Sequence, residues 1–177
     1  PHTHDDVGWN WTYKDYFYGS ASMKLGVSDI LSSMVQSLSE NKERTFIEVE
    51  IAFFENWWVD QTDTTNAIVK EFLKEGRLEF INGGYVMHDE ATTYYQHLID
   101  QTRLGMMFLK KELDYIPRIA WFIDPFGHSA ANAAILAKMG FEKIAFVRID
   151  YKEKTIRQAN KTLEFKWKPF SQLASYA

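Results

Sequence analysis

Arg118-Ile119-Ala120-Trp121-Phe122-Ile123-Asp124-Pro125-Phe126-Gly127-His128-Ser129 is the stretch that decides the architecture. Its first half is a near-continuous apolar run, too short for a helix and without helical spacing, so it predicts a strand buried on both faces. Pro125 and Gly127 interrupt the run and predict a loop. Ser129 is a natural N-cap for a helix over 130–139, which Gly140 closes. Ile144-Ala145-Phe146-Val147 predicts the next strand, ending at Arg148. Strand, loop, helix and strand in this order predict an α/β domain with a mostly parallel sheet. In such sheets chemistry gathers at the C-terminal ends of strands. Asp124 and Arg148 both fall there, and this shared edge is the first functional clue.

The same alternation continues upstream. Val27, Ile30, Leu31, Met34 and Leu38 recur at helical spacing. Residues 45–53 alternate instead, with Ile47, Val49, Ile51 and Phe53 on one face and Glu48 and Glu50 on the other, which predicts a strand. Helical spacing returns over 65–75 through Ile68, Val69, Phe72 and Leu73, with Gly76 as the stop. Leu78-Glu79-Phe80-Ile81 predicts a short strand before the Gly83-Gly84 turn. Residues 93–113 predict a long amphipathic helix with Tyr95, Leu98, Ile99, Met106, Leu109 and Leu113 inward. Beyond about residue 152 the pattern becomes polar and irregular.

Composition sets the class. The 177 residues suffice for one domain with a real core, and 46% are hydrophobic and 16% aromatic. An aromatic surplus suits a sugar-binding cleft, and equally a large core. The net charge is −4 and there is no basic block, so no nucleic-acid partner is expected. No apolar run approaches the length of a membrane span, so no membrane partner is expected either. The absence of cysteine excludes thiolate metal sites and disulfides here. Asn10 and Asn160 open Asn-x-Thr glycosylation triplets.

Two constellations carry chemistry. Pro1-His2-Thr3-His4-Asp5-Asp6-Val7-Gly8-Trp9 offers imidazole and carboxylate ligands for a divalent ion. In an extended segment His2, His4 and Asp6 share one face and could converge on one metal. The competing reading is a polar, solvated terminus. The second is Asp124, presented rigidly at a strand end and followed by Pro125 and Phe126. Its competing reading is a carboxylate capping a tight turn. Trp9 alone reads as a core aromatic, Arg148 alone as half of a structural ion pair with Asp150, and His128 as a helix-start hydrogen bond. Trp57, Trp58 and the Asp89-Glu90 pair read as core packing and a capped helix start.

His4-Asp5-Asp6-Val7-Gly8-Trp9 together with Asp124-Pro125-Phe126-Gly127-His128-Ser129 closely resembles the α-mannosidases of glycoside hydrolase family 38. The resemblance extends through Phe46-Ile47-Glu48-Val49-Glu50, Trp57-Trp58, Gly76-Arg77-Leu78-Glu79-Phe80 and Asn82-Gly83-Gly84-Tyr85-Val86-Met87, and covers nearly all of residues 1–151. Tyr85 departs from the usual Trp and keeps an aromatic ring. The form of the first motif is nearer to the lysosomal branch.

The resemblance implies a zinc-dependent retaining exo-α-mannosidase acting on mannose-containing oligosaccharides. It implies a distorted (β/α)7-barrel-like fold of which residues 1–177 are an N-terminal part. His4, Asp6 and Asp124 match zinc ligands, and Asp124 also matches the catalytic nucleophile. Trp9 and Phe126 match aromatics lining the reacting subsite, and Arg148 matches an arginine supporting the nucleophile. His2 has no ligand role in the family. The family's fourth zinc ligand and general acid lie further along the chain than this stretch, and nothing over 152–177 matches them. Residues 1–177 alone are therefore expected to be inactive. A lysosome or vacuole is the implied compartment, and a homo-oligomer of the full-length protein is compatible with the resemblance. The alternative class is a metal-dependent polysaccharide deacetylase, whose ligand spacing differs from His4-x-Asp6.

Overall fold

The computed structural model describes residues 1–170. The segment 171–177, and with it the expectation that the chain ends without a closing element, lies outside the described residues. The chain divides into two compact units. The first comprises residues 1–87 and 100–117, the second residues 88–99 and 118 onward.

The first unit begins with helices α1 (Tyr13–Tyr18) and α2 (Val27–Glu40). Thr12 and Asp15 form a reciprocal capping box at the start of α1. Strand β1 (Phe46–Glu48) is followed by helices α3 (Ile51–Val59) and α4 (Asp63–Lys74), strand β2 (Leu78–Phe80) and helix α5 (Tyr95–Leu113). β1 and β2 pair in parallel, Phe46 opposite Leu78 and Glu48 opposite Phe80. On the other edge of β1, His2 bridges Ile47 in parallel. The core is aromatic and almost dry. Phe53 and Phe54 are fully buried, and Phe54 meets Phe80 edge-on at 4.7 Å between ring centres. Trp57 and Trp58 are core residues, as the sequence predicts.

Two expectations are corrected in this region. The strand predicted over 45–53 stops at Glu48, and Ile51 and Phe53 belong to α3. The alternation that suggested a strand runs only as far as Ile51 and Phe53, which with Phe54, Trp57 and Trp58 form the buried face of a short helix at spacings of one, three and four residues. The predicted inward set of α5 is also revised. Its buried residues are Leu98, Thr102, Gly105 and Leu109, with Tyr95 half exposed. Thr102 and Gly105 carry little hydrophobic signal, but a Cβ on Gly105 would lie 2.1 Å from the Gly83 carbonyl oxygen. Close approach of backbones decided that face.

The second unit contains β3 (Ile119–Phe122), α6 (Ala130–Lys138), β4 (Lys143–Phe146) and α7 (Tyr151–Asn160), together with the first turn of α5. β3 and β4 are parallel, with Phe122 opposite Phe146. β3 is buried on alternate residues, Ala120 and Phe122, and not on both faces as its apolar run predicts. Ser129 caps α6 by accepting from the Ala131 and Asn132 amides, and Gly140 ends it with φ +96°. The region expected to be irregular holds α7. No residue of α7 is buried, so it shows no apolar stripe. Asp150 accepts from the Lys152 and Glu153 amides, and Arg157 pairs with Glu153 one turn back. The α/β class with parallel strand pairs stands as predicted.

Candidate active site

In the first unit, the Ile47 amide donates to the Pro1 carbonyl at 2.9 Å, so residues 1–4 run beside β1 in parallel. The His2–Ile47 register sets His4 level with Val49, just past the C-terminal end of β1. The chain then turns at Gly8 (φ +87°), whose amide donates to the Asp6 carbonyl at 2.9 Å. This turn leaves His4 Nε2 3.3 Å from Asp6 Oδ1. Two donor atoms each about 2 Å from a tetrahedral zinc lie about 3.3 Å apart, so this pair fits two adjacent corners of one ion's shell. The second ring nitrogen, Nδ1, faces Glu50 Oε1 at 3.8 Å. His2 Nδ1 donates to the Thr3 carbonyl at 2.7 Å. His2 is thus tied to its own backbone, as its missing role in the family motif implies and against the simple alternation argument.

Behind this pair stand three carboxyls. Glu48 and Glu50 are each only 2% exposed. Burial pushes the Glu48 carboxyl up to about 8, with the Asp5 charge adding to it and the Val49 amide opposing it. Burial also raises Glu50 well above the ordinary carboxyl range, with the charges of Glu48 and Asp5 acting in the same direction. Asp5 is raised chiefly by burial, although the Thr3 hydroxyl donates to it at 2.6 Å. Glu48 closes β1 and Glu50 stands two residues past it, and desolvation favours the neutral form of both. Sequence reading passed over them as the second face of a strand. The available signal was two acids inside the otherwise apolar run from Phe46 to Phe54.

In the second unit, Asp124 lies two residues past β3 and Arg148 two residues past β4. The Phe122–Phe146 register therefore sets them level, and Arg148 Nη2 donates to Asp124 Oδ1 at 2.6 Å. The expected shared strand-end edge is present. The alternative partner for Arg148, Asp150, is occupied as the N-cap of α7. His128 is not a simple helix-start residue. Its Nδ1 lies 2.9 Å from Glu90 Oε1, and its Nε2 donates to the Arg148 carbonyl at 2.8 Å. Glu90 caps α6 from outside, accepting from the Ser129 amide at 2.7 Å. Glu90 therefore serves a helix other than the one it precedes, whereas Asp89 Oδ1 accepts from the Ala91 amide in its own loop at 2.9 Å.

The two aromatic candidates are solvent-facing. Trp9 is 75% exposed and Phe126 is 79% exposed, so the core reading of Trp9 is wrong. Tyr85 belongs to the first unit, where its hydroxyl is bonded to Glu55 and pushed up to about 12 by that bond first and by burial second. A groove of about 620 Å³ in the same unit is lined by Pro1, Ile30, Met34, Arg44 and Phe46. It opens at the N-terminal end of β1, the end opposite His4, and holds none of the candidate residues. No helix of the described residues is long and apolar enough to cross a membrane.

Known proteins match this chain in sequence. A lysosomal alpha-mannosidase of Bos taurus is 50% identical, with 98% of this chain and 18% of that protein aligned. A lysosomal alpha-mannosidase of Dictyostelium discoideum is 49% identical over 94% of this chain and 17% of its own length. The chain thus spans less than a fifth of the length of the curated relatives it matches. Among solved structures, an alpha-mannosidase from Enterococcus faecalis superposes with a TM-score of 0.64 at 17% identity, covering 82% of this chain and 16% of that one. That likeness concerns the fold. The family model described as "Glycosyl hydrolases family 38 N-terminal domain" matches residues 1–174. The two strand-end motifs and the identity along the whole chain therefore agree: this chain belongs to the glycosyl hydrolase family 38 N-terminal domain family.

Proposed function

We propose that the protein to which this chain belongs is a zinc-dependent retaining α-mannosidase that removes terminal α-mannose from N-glycan-type oligosaccharides in a lysosome or vacuole. The observation that carries this reading is the Asp124 carboxylate, held past a strand end by the Arg148 guanidinium at 2.6 Å, within the family's motif. The parallel strand pairs are read as parts of a larger, distorted barrel-like sheet.

His4, Asp6 and Asp124 are the proposed holders of the zinc, and a donor set of borderline imidazole with carboxylates suits it. Zinc, when bound, supplies a Lewis acid that can take the sugar's 2- and 3-hydroxyls and fix the ring. The covalent and proton-transfer steps fall to carboxyl groups, of which this chain supplies the nucleophile. Asp124 is the nucleophile: a carboxylate oxygen bonds to the anomeric carbon as the bond to the leaving-group oxygen breaks. The leaving oxygen takes its proton from a carboxylic acid about 5–5.5 Å from the nucleophile, the separation that retention requires. Water then attacks the same carbon, gives its proton to that carboxylate and frees Asp124. Arg148 aims the carboxylate, its guanidinium donating to Asp124 Oδ1 in a charge-assisted hydrogen bond. Trp9 and Phe126 offer exposed ring faces against which the apolar face of a pyranose can stack.

The test is a mechanism-based 2-fluoro-mannosyl fluoride applied to the full-length protein, followed by peptide mapping. The adduct is expected on Asp124, and an adduct on any other carboxylate rejects the assignment.

A further inference from the structure

Arg148 is held at both ends, and only one of those contacts is with the proposed nucleophile. Its guanidinium donates to Asp124, while its backbone carbonyl accepts from His128 Nε2 at 2.8 Å. Arg148 stands two residues beyond β4, so the strand ladder does not fix that carbonyl. The side chains behind the contact are largely shielded: the His128 side chain is 11% exposed and that of Glu90 3%. Glu90 itself is anchored. His88, two residues earlier and 4% exposed, meets the Asn132 side-chain oxygen on α6 at 2.9 Å. The Ser129 amide donates to the second Glu90 oxygen at 2.7 Å. The Phe146 ring packs on the His128 ring at 4.5 Å between centres.

Proton counting makes this chain directional. A carbonyl can only accept, so Nε2 of His128 must carry a hydrogen. One more proton then lies in the contact between Nδ1 and Glu90 Oε1, on one atom or the other. His128 is therefore fixed at both nitrogens, and its ring cannot flip without breaking two bonds. Helix capping alone does not account for this. Ser129 Oγ already caps α6, and the bond to Arg148 contributes nothing to that helix start.

We propose that His128 and Glu90 are positioning residues that hold Arg148, and through it Asp124, in the geometry of the glycosyl-transfer step. Neither touches substrate. This rests on the reading of Asp124 as the nucleophile and Arg148 as its support.

The test is a pair of double-mutant cycles in the full-length protein, with kcat and KM on an aryl α-mannoside and zinc content measured for each variant. His128→Ala is expected to lower kcat by about 10- to 100-fold, the scale on which a misplaced catalytic group acts, with KM and zinc content little changed. Arg148→Ala should also lower kcat. In the Arg148→Ala background, His128→Ala should then cost at most about 2-fold, because residues acting through one contact are not additive. A full additional loss in that background overturns the proposal and leaves the Asp124–Arg148 reading intact. An unchanged kcat for Arg148→Ala overturns that reading and this proposal with it. If His128→Ala does not fold, Glu90→Ala enters the same cycle. Glu90→Gln should recover most of the kcat lost in Glu90→Ala, because the amide can accept from Ser129 and donate to Nδ1. Failure of that rescue counts against the proposal.

Discussion

The two units present candidate residues in the same way and support them by opposite means. In each, a parallel strand ends and the chain sets a carboxylate just past it: Asp6 near the end of β1, Asp124 near the end of β3. Behind His4 and Asp6 lie the buried acids Glu48 and Glu50, whose pKa values are raised by desolvation. Behind Asp124 lies a hydrogen-bonded chain from Arg148 to His128 to Glu90 to the start of α6. The first support stores protons in a dry place, and the second satisfies charges through paired donors and acceptors. The packing differs likewise. The first unit's core is built of aromatic rings from Phe17 to Phe80, and the second unit's rests on small residues such as Ala120, Ala133 and Ala134 with Phe122 and Leu136.

The sharpest way to break this comparison is at the carboxylates. Asp124→Ala in the full-length protein should lower kcat by about 10⁴-fold or more, as removal of a covalent nucleophile does. Retained turnover would remove the second unit from the chemistry. His4→Ala should weaken zinc binding by more than about 100-fold, beyond the loss typical of an outer-shell partner. Undiminished zinc by elemental analysis would show that the first unit supplies no ligand there. Next comes packing. Phe54→Ala should cost about 3–5 kcal/mol of stability and Leu136→Ala about 2–3, because the aromatic core leaves the larger cavity. Equal shifts in melting temperature would erase the packing contrast.

The smallest effect is the most specific to the buried acids. Glu48 has a folded-state pKa of about 8 against an ordinary value of 4.5. The folded state therefore holds a proton that the unfolded state has lost between those values. Stability is full below about 4.5 and falls as pH rises towards 8. Glu48→Gln should flatten this slope, raising the melting temperature at pH 8 relative to pH 5 by a few degrees, on the order of the shift per kcal/mol for a domain of this size. A parallel slope in variant and parent would mean that Glu48 titrates normally. Such a profile favours an acidic compartment, in keeping with the proposed location.

Much of this was legible in the chain. The run from Arg118 to Ser129 announces strand, loop and capped helix because hydrophobic length, proline and a hydroxyl N-cap are local signals. The same signals mark α2, α4 and β2. His4, Asp6 and Asp124 were legible because their residue types and motifs are chemically unusual. The misreadings have physical causes too. The first residues of α3, Ile51 and Phe53, continue the alternation of β1 in register, so α3 imitated the tail of a strand. A helix buried nowhere has no apolar stripe, so α7 looked irregular. Trp9 looked like core because a large aromatic ring is usually worth burying, whereas here the turn at Gly8 leaves it in solvent.

By itself, then, the sequence determined the α/β order, the ends of β3 and β4 to within a residue, the two motifs and the family. These depend on neighbours within a few residues or on residue identity alone. Only the tertiary structure decided that Glu48 and Glu50 are desolvated, that Gly105 is where α5 meets the Gly83 carbonyl, and that Glu90 reaches across 38 positions to His128. Burial and long-range hydrogen bonds depend on which segments the fold brings together. No local pattern encodes the solvent that those segments exclude.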